Sequence, residues 1–282
     1  MRFDEIVIRT ERLDVPALAA GDGPIVVCWH GFPDHPVSFG PVAERLVAAG
    51  RRVVAPFLRG HHPSTVDQMP FGDGLTLAAD AAAVNAALSS EPLDVIGHDI
   101  GAGVAGRLAA TRPELVRRVV TMSVPPPATL RRIFDEPAQQ QRFFYLFMFQ
   151  VHGVAETLLN DKLLDHLWRT WSPGLEVPDY VTEMYADPAI RANALKLYRA
   201  NFDRSLHDPA LADLAPLAEK AAEIPMLVLA GADDGCITPD NYAGAATGLA
   251  PGSRVEVVAG GGHFLQLDSP DQVAALALDW FR

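Results

Sequence analysis

A carboxylate stands between an apolar strand pattern and a helix of small residues in "DVIGHDIGAGVAG" (94–106). Within this segment, "GHDIG" (97–101) has the spacing Gly-x-Nu-x-Gly, in which Nu is a nucleophile on a tight strand-to-helix turn. Glycines flank such a turn because the neighbouring chains approach closely. Asp99 is therefore a candidate nucleophile. The competing interpretation is a helix N-cap, which aspartate also fills well and which needs no partners.

Two further segments carry groups that a nucleophilic carboxylate needs. His263 lies in a glycine-rich loop, "AGGGHF" (259–264), ahead of the last predicted helix. Asp233 and Asp234 follow the predicted strand in "LVLAGADD" (227–234), at the edge where open α/β sheets form ligand sites. An acid that orients a histidine, and a histidine that activates water, would complete a catalytic set. Either aspartate, however, could also be a turn former.

A loop after another buried strand, "CWHGFPDH" (28–35), supplies the fourth part. We expect the backbone N–H groups of Phe32 and Ile100 to form an oxyanion hole. His30 is interpreted as a hydrogen-bond brace of this loop rather than as a base. The predicted wall of the substrate pocket comprises Trp29, His30, Pro33, Phe144 and Phe149.

Eight β-branched runs alternate with helical patterns, which indicates a mostly parallel sheet buried on both faces. The predicted strands are 5–9, 12–19, 24–30, 51–57, 93–98, 116–124, 224–231 and 253–260. The predicted helices between and after them are 36–50, 75–90, 101–114, 239–249 and 269–281.

The alternation of strands and helices stops at "SVPPP" (123–127), because consecutive prolines end a strand. An aromatic, helical stretch follows and is predicted to be an inserted helical cap over 126–215. The core domain is then formed by 1–125 and 216–282. The pattern predicts an α/β fold with one insertion.

Composition excludes several classes of function. The formal charge of −12 argues against a nucleic-acid partner. Neither a signal peptide nor an apolar run long enough for a membrane span is apparent, so a cytoplasmic location is expected. Cys28 and Cys236 lack metal-ligand spacing and are expected to be buried free thiols; no metal or other cofactor is predicted. The sequence leaves a homodimer open.

The chain resembles the α/β-hydrolase superfamily, in particular its branch of epoxide hydrolases and haloalkane dehalogenases with an aspartate nucleophile. The matching pieces are "HGFPD" (30–34), "RG" followed by Ser64, "GHDIG" (97–101), "GADD" (231–234) and "GGHF" (261–264). The resemblance implies an eight-stranded, mostly parallel sheet flanked by helices, with a cap after one core strand. In that family's acid motif the aspartate stands three residues after the glycine, which selects Asp234.

Two tyrosines in the insertion match the pattern of epoxide hydrolases. Tyr145 lies in "FFYLFMFQ" (143–150) and Tyr198 in "LKLYRANF" (195–202). The resemblance implies that both activate the oxygen of a small apolar epoxide. Asp99 would form a hydroxyalkyl ester, and His263 with Asp234 would activate water to release a vicinal diol. Alternatively, both tyrosines are amphipathic packing residues of the insertion.

Other activities remain as alternatives. Haloalkane dehalogenases carry halide-binding side chains where this chain has Ile100 and Phe32, and fluoroacetate dehalogenases carry arginines where it has Ile100 and Gly103. Dehalogenase or esterase activity on the same fold is one alternative, and a non-catalytic ligand-binding protein is another. A departure from the relatives is "RGHHPST" (59–65), in which His61 and His62 are expected to face solvent. The alternative is that they alter this loop or the rim of the pocket.

Overall fold

The computed structural model describes residues 1–282. Eight strands form one sheet in the order β1-β2-β4-β3-β5-β6-β7-β8. The pairs β1·β2 and β2·β4 are antiparallel, and the other neighbours are parallel. The strands are β1 (Asp4–Arg9), β2 (Asp14–Ala20), β3 (Ile25–Trp29), β4 (Arg52–Pro56), β5 (Leu93–His98), β6 (Val116–Met122), β7 (Met226–Gly231) and β8 (Arg254–Val258).

Helices cover both faces of the central strands. Every residue of β5 and β7 is therefore buried, whichever face its side chain is on. The helices are α1 (Gly40–Ala48), α2 (Gly74–Leu88), α3 (Ile100–Thr111), α4 (Pro127–Phe134), α5 (Pro137–Arg142), α6 (Phe144–Met148), α7 (Val154–Leu158), α8 (Asp161–Trp171), α9 (Asp179–Tyr185), α10 (Pro188–Arg199), α11 (Ala215–Ala218), α12 (Leu265–Asp268) and α13 (Pro270–Trp280). Packing of α1 against α13, and of α2 against α3, completes the core layers. The predicted α/β fold with an eight-stranded, mostly parallel sheet is confirmed.

Between β6 and β7 the chain contains only helices and turns, from α4 to α11, and we call this segment the helical insertion. It packs on the loops that follow the core strands. The indole Nε1 of Trp168 donates to the carbonyl of Pro33 at 2.9 Å. The carbonyl of Trp171 accepts from the amides of Gly235 and His263, both at 3.0 Å. The insertion is thereby tied to three loops of the core.

One helix prediction differs from the structure. In place of the predicted helix 239–249 are two 3₁₀ turns, Pro239–Tyr242 and Ala245–Gly248, because Gly244 between them is left-handed at φ +74°. Residues 131–150 of the predicted helical cap are helical as expected and form three short helices, since Pro137 begins a new helix. The two cysteines are buried free thiols, as predicted. None of the helices combines the length and the apolar character that crossing a bilayer requires.

Candidate active site

The turn from β5 to α3 has the strained, crowded geometry of a nucleophile elbow. Asp99 adopts φ +51° and ψ −116°, which a residue with a side chain rarely does. A Cβ on Gly97 would lie 2.1 Å from the carbonyl oxygen of Gly101, and a Cβ on Gly101 would lie 2.0 Å from that of Trp29. Both flanking glycines are therefore required by close backbone approach. The turn directs the Asp99 side chain away from the sheet edge and toward the neighbouring loops.

The carboxylate of Asp99 does not cap α3, since it makes no hydrogen bond to the first turn of that helix. Instead, the backbone N–H of Phe32 donates to its Oδ1 at 2.8 Å. A Cβ on Gly31 would lie 2.4 Å from the Cβ of Asp99, so glycine is needed for this approach as well. The N–H of Ile100, the second predicted donor, makes no hydrogen bond to Asp99 in the structure. Its role in an oxyanion hole stays a prediction.

His263 and Asp234 lie next to the carboxylate of Asp99. The Nδ1 of His263 is 3.0 Å from Oδ2 of Asp234, and its Nε2 is 3.5 Å from Oδ2 of Asp99. The other oxygen of Asp234 accepts from the amides of Cys236 and Ile237, which fixes the carboxylate. Asp234 is buried, whereas Asp233 is exposed. The structure thus brings Asp99, His263 and Asp234 together in one contiguous set.

The loop that carries His263 is held on both sides. The hydroxyl of Ser123 donates to the carbonyl of His263 at 2.5 Å, and Nε2 of His98 lies 2.9 Å from the same oxygen. The amide of His263 donates to Trp171 in the helical insertion, and the two rings meet edge to face at 4.9 Å. Core and insertion together therefore set the position of the imidazole.

Burial and the neighbouring charges have opposite effects on the pKa values of His263 and Asp99. Burial alone would lower the pKa of His263, but the carboxylates of Asp234 and Asp99 raise it to about 10. Burial would raise the pKa of Asp99, yet the hydrogen bond and charge of His263 hold it below its ordinary value. In the resting protein the imidazole is protonated and Asp99 is ionised.

Tyr145 and Tyr198 lie side by side, with ring centroids 5.6 Å apart and the rings nearly perpendicular. Both side chains are buried. The Tyr198 hydroxyl has no hydrogen-bond partner in the protein, and the Tyr145 hydroxyl contacts only the thiol of Cys236 at 3.7 Å. Burial raises the pKa of both phenols, so both remain protonated donors.

Two hydrogen bonds join the turn that follows α6 to α10 and fix these tyrosines relative to each other. The side-chain amide of Gln150 donates to the carbonyl of Tyr198 at 3.3 Å. The guanidinium Nε of Arg199 donates to the carbonyl of Phe149 at 2.9 Å. Gln150 of "FFYLFMFQ" and Arg199 of "LKLYRANF" therefore join the two segments that carry the tyrosines.

Asp99 and both tyrosines open into one cavity of about 450 Å³, which is mostly apolar. This size suits a small organic molecule. Its other lining residues are Gly72, Gly74, Leu77, Ile100, Gly103, Val104, Arg107, Val124, Leu130, Arg131, Phe134, Asp135, Phe143, Leu146, Leu197, Asn201, Phe202, Cys236 and Ile237.

None of the five residues predicted to form the pocket wall lines this cavity. His30 is buried and braces its own loop, with Nδ1 3.0 Å from the Gly31 carbonyl and Nε2 accepting from the Leu58 amide. Trp29 is buried at the end of β3, and Phe149 packs behind Tyr198 at 5.2 Å between ring centroids. The prediction is wrong because these side chains point into the protein.

The other two predicted wall residues, Pro33 and Phe144, also lie away from the cavity. The carbonyl of Pro33 is taken by the indole of Trp168, which covers that part of the loop. Phe144 is 39% exposed and packs beside His166 on the outer side of α6. Tyr145, the next residue, faces the cavity instead.

His61 also differs from its prediction, because it is fully buried rather than solvent-facing. Its ring lies 5.9 Å from that of His30 and 6.2 Å from that of Tyr185, and its Nε2 has no partner. His62 remains partly exposed. The aromatic surroundings of the loop explain why one of two adjacent histidines is drawn inside.

Sequence reasoning did not identify Cys236 or Arg107 as cavity residues. Cys236 follows Asp234 by two residues, so its position near this carboxylate could have been predicted from the sequence. Arg107 lies eight residues after Asp99 on α3, and Gly103 lies between them at four. The four-residue spacing places Gly103 and Arg107 on one face of α3, directly after the Asp99 turn, which the sequence already contained.

Comparison with known proteins agrees with this fold. The family model for the alpha/beta hydrolase fold matches residues 24–270. The chain is 30% identical to the AB hydrolase superfamily protein YfhM of Bacillus subtilis, over 68% of this chain and 71% of that protein. It is 27% identical to epoxide hydrolase A of Mycobacterium tuberculosis, over 98% of this chain and 96% of that protein.

A solved epoxide hydrolase from an endophytic Streptomyces superposes with a TM-score of 0.76 at 25% identity, covering 99% of this chain and 95% of that one. The chain belongs to the α/β-hydrolase family. The predicted resemblance is thereby confirmed at the level of fold and family. Relatives named epoxide hydrolases occur among both the curated sequences and the solved structures.

Proposed function

We propose that the protein is an epoxide hydrolase that converts an apolar epoxide and water to a vicinal diol. The observation that carries this proposal is the pair of buried tyrosine hydroxyls, which face the same cavity as Asp99 and are not taken by strong protein partners. An epoxide has a poor leaving group, so ring opening needs both a nucleophile and a donor on oxygen. Relatives named epoxide hydrolases support the same assignment.

In the first step, Oδ2 of Asp99 bonds to a ring carbon while the bond from that carbon to the ring oxygen breaks. The electron pair goes to the oxygen, which takes a proton from Tyr145 or Tyr198. A hydroxyalkyl ester and a phenolate result. Oδ1 stays hydrogen-bonded to the amide of Phe32 and becomes the ester carbonyl oxygen.

Ester formation makes His263 a base. The raised pKa of its imidazole depends in part on the charge of Asp99, 3.5 Å away. When that charge is lost in the ester, the pKa of His263 falls and its proton becomes available to the phenolate. The neutral imidazole, oriented by Asp234, is then able to activate water.

In the second step, water attacks the ester carbonyl and gives a proton to His263. The oxyanion on Oδ1 is stabilised by the Phe32 N–H, and one such donor contributes about 3–4 kcal/mol in comparable sites. The tetrahedral intermediate expels the diol oxygen, which takes a proton from His263. The acid left on Asp99 returns a proton to the imidazole and restores the resting charges.

Under this proposal the helical insertion acts as a cap that closes the site and supplies the tyrosines, with 1–125 and 216–282 as the core domain. Halide chemistry is less favoured, because Ile100 and Phe32 offer no side-chain donor beside Asp99. Esterase activity and non-catalytic ligand binding are the alternatives that an assay distinguishes from epoxide hydrolysis. Diol formation from styrene oxide and 1,2-epoxyhexane, with halide release from haloalkanes measured in parallel, distinguishes them.

The tyrosines provide the sharpest test of epoxide specificity. We expect Tyr145→Phe with Tyr198→Phe to abolish diol formation, because no donor remains for the ring oxygen. Tyr180→Phe is the matched control, since Tyr180 lies outside the cavity and is expected to retain full turnover. A double variant with unchanged thermal unfolding and wild-type diol formation would contradict the assignment of the tyrosines.

A further inference from the structure

The cavity extends along α3, away from the reacting groups. Ile100, Gly103, Val104 and Arg107 line it in succession, at the three- and four-residue spacing of one helix face. The guanidinium of Arg107 reaches back to the carbonyl of Gly103. Gly103 stands four residues beyond Asp99, about 6 Å along the helix axis at 1.5 Å per residue. One wall therefore leads from the nucleophile to a guanidinium.

Four charged side chains line the cavity: Asp99, Arg107, Arg131 and Asp135. Neither arginine takes part in an ion pair within 4.0 Å of a carboxylate. Arg131 and Asp135 are exposed at the rim, whereas Arg107 is partly buried in the wall. Apart from Asp99, the charged side chains of the cavity wall are two arginines and one aspartate, a formal charge of +1.

The guanidinium of Arg107 makes one hydrogen bond, from Nη1 to the carbonyl of Gly103 at 3.1 Å. The nearby carboxylate of Asp73 is already occupied. It accepts from the amides of Leu75, Thr76 and Asp208 and from the hydroxyl of Thr76. Arg107 therefore keeps most of its donors free for a molecule in the cavity.

Two glycines, Gly74 and Gly103, leave the space that the Arg107 guanidinium occupies. A Cβ on Gly74 would lie 2.9 Å from Cζ of Arg107, and a Cβ on Gly103 would lie 2.8 Å from its Nη1. Burial lowers the pKa of Arg107, and the charge of Asp73 only partly opposes this effect. A guanidinium held in an apolar wall without a carboxylate in direct contact is unfavourable, and a bound anion removes that penalty.

We propose that Arg107 is the anion-binding residue of the substrate pocket and selects epoxides that carry a carboxylate. This inference rests on the proposed epoxide hydrolase function. The substrate class is an ω-epoxy acid, with an apolar chain lying along Ile100, Gly103 and Val104. The ring meets Asp99 and the tyrosines, while the carboxylate pairs with Arg107. Attraction at contact exceeds repulsion from the more distant Asp99, because Coulomb energy falls with distance.

The test compares terminal ω-epoxy acids of seven, nine and eleven carbons with their methyl esters. For the wild-type enzyme we expect a higher kcat/KM on the best acid than on its ester. Arg107→Met is expected to lower this acid-to-ester ratio by about tenfold to hundredfold, mainly through KM, because a charge-assisted hydrogen bond is lost. Arg107→Lys, which keeps the charge, is expected to restore part of the ratio.

Arg112→Met is the matched control, because it removes the same charge at the end of α3 and outside the cavity. Its acid-to-ester ratio is expected to equal that of the wild type. An Arg107→Met variant that loses acid and ester turnover equally would show that Arg107 is only structural, and would overturn the proposal. An unchanged ratio would overturn it as well.

A second readout separates this inference from the proposed reaction. Binding of nonanoate, which has no epoxide, is measured by calorimetry with the wild type and with Arg107→Met. Binding that weakens about tenfold or more in the variant supports the anion site even if no epoxide is hydrolysed. Equal nonanoate binding by both proteins, together with normal turnover of neutral epoxides, would reject the anion site and leave the hydrolase assignment standing.

Discussion

At the scale of single residues, His263 is controlled by the two carboxylates on either side of it. Asp234 is fixed by two backbone amides, whereas Asp99 changes from a carboxylate to an ester in the proposed reaction. The imidazole pKa, about 10 in the resting protein, therefore varies with the state of Asp99. The base becomes available when an ester is present for it to hydrolyse.

Removal of the imidazole should separate the two steps. We expect His263→Gln to open one equivalent of epoxide and then stop, with steady-state kcat reduced about 100- to 10,000-fold. Intact-mass spectrometry should show the protein heavier by one substrate, with the added mass on the peptide that contains Asp99. His166→Gln, at an exposed position outside the cavity, is the control and should turn over normally. A fully active His263→Gln enzyme would remove this histidine from the mechanism.

At the scale of elements, the β5-to-α3 turn depends on contacts that only glycine permits. The carbonyls of Gly101 and Trp29 occupy the positions where Cβ atoms of Gly97 and Gly101 would lie. These contacts hold the strained φ of Asp99 and its distance to the Phe32 amide. The same helix then continues along the cavity to Arg107.

Two glycines of α3 should respond oppositely to alanine. Gly101→Ala is expected to lower the free energy of unfolding by about 1–3 kcal/mol and to abolish turnover, because its Cβ overlaps the Trp29 carbonyl. Gly106→Ala meets only Met226 at 3.8 Å and should raise the free energy of unfolding by about 0.5–1 kcal/mol. Urea unfolding and diol formation measure both effects. A tolerated Gly101→Ala would contradict the elbow geometry.

The sequence predicted the elbow and its partners because they depend on local patterns: β-branched strands, paired glycines and loops after strands. It did not predict the pocket wall, which depends on how the helical insertion packs. Tyr145 faces the cavity while its neighbour Phe144 faces outward, a choice of helix face set by contacts with α10. His30 braces its loop as predicted but does not line the pocket, and His61 is buried rather than solvent-facing, because both rings pack together beside the loop.

At the scale of the whole molecule, the buried histidines link the core loops to the helical insertion. His61 packs against His30 of the β3 loop and against Tyr185 of α9, and His35 packs against Tyr180 of the same helix. Burial lowers the pKa of His61 and that of His35 to about 4. The contact between core and insertion is therefore formed around neutral rings.

Acid should weaken this contact before it affects the ion pairs of the surface. Unfolded histidine takes up a proton as pH falls through its ordinary pKa of 6.5, while buried His61 does not until about pH 4. Its contribution to stability is thus present above pH 6.5 and lost as pH falls toward 4. We expect His61→Gln to reduce this loss by on the order of 2 kcal/mol in urea unfolding between those pH values. His152→Gln, at an exposed site, should leave the wild-type pH slope unchanged, and an unaltered slope in His61→Gln would contradict the prediction.

The covalent ester on Asp99 is the central claim, and a single turnover in water enriched in oxygen-18 tests it most directly. Enzyme in excess over epoxide is quenched after one turnover, and the peptide that contains Asp99 and the diol are both analysed by mass spectrometry. Water attacks the ester carbonyl in this mechanism, so the label is expected in the Asp99 carboxylate and the diol is expected to be unlabelled. A labelled diol with an unlabelled Asp99 would mean that water opens the ring directly, and would contradict the account.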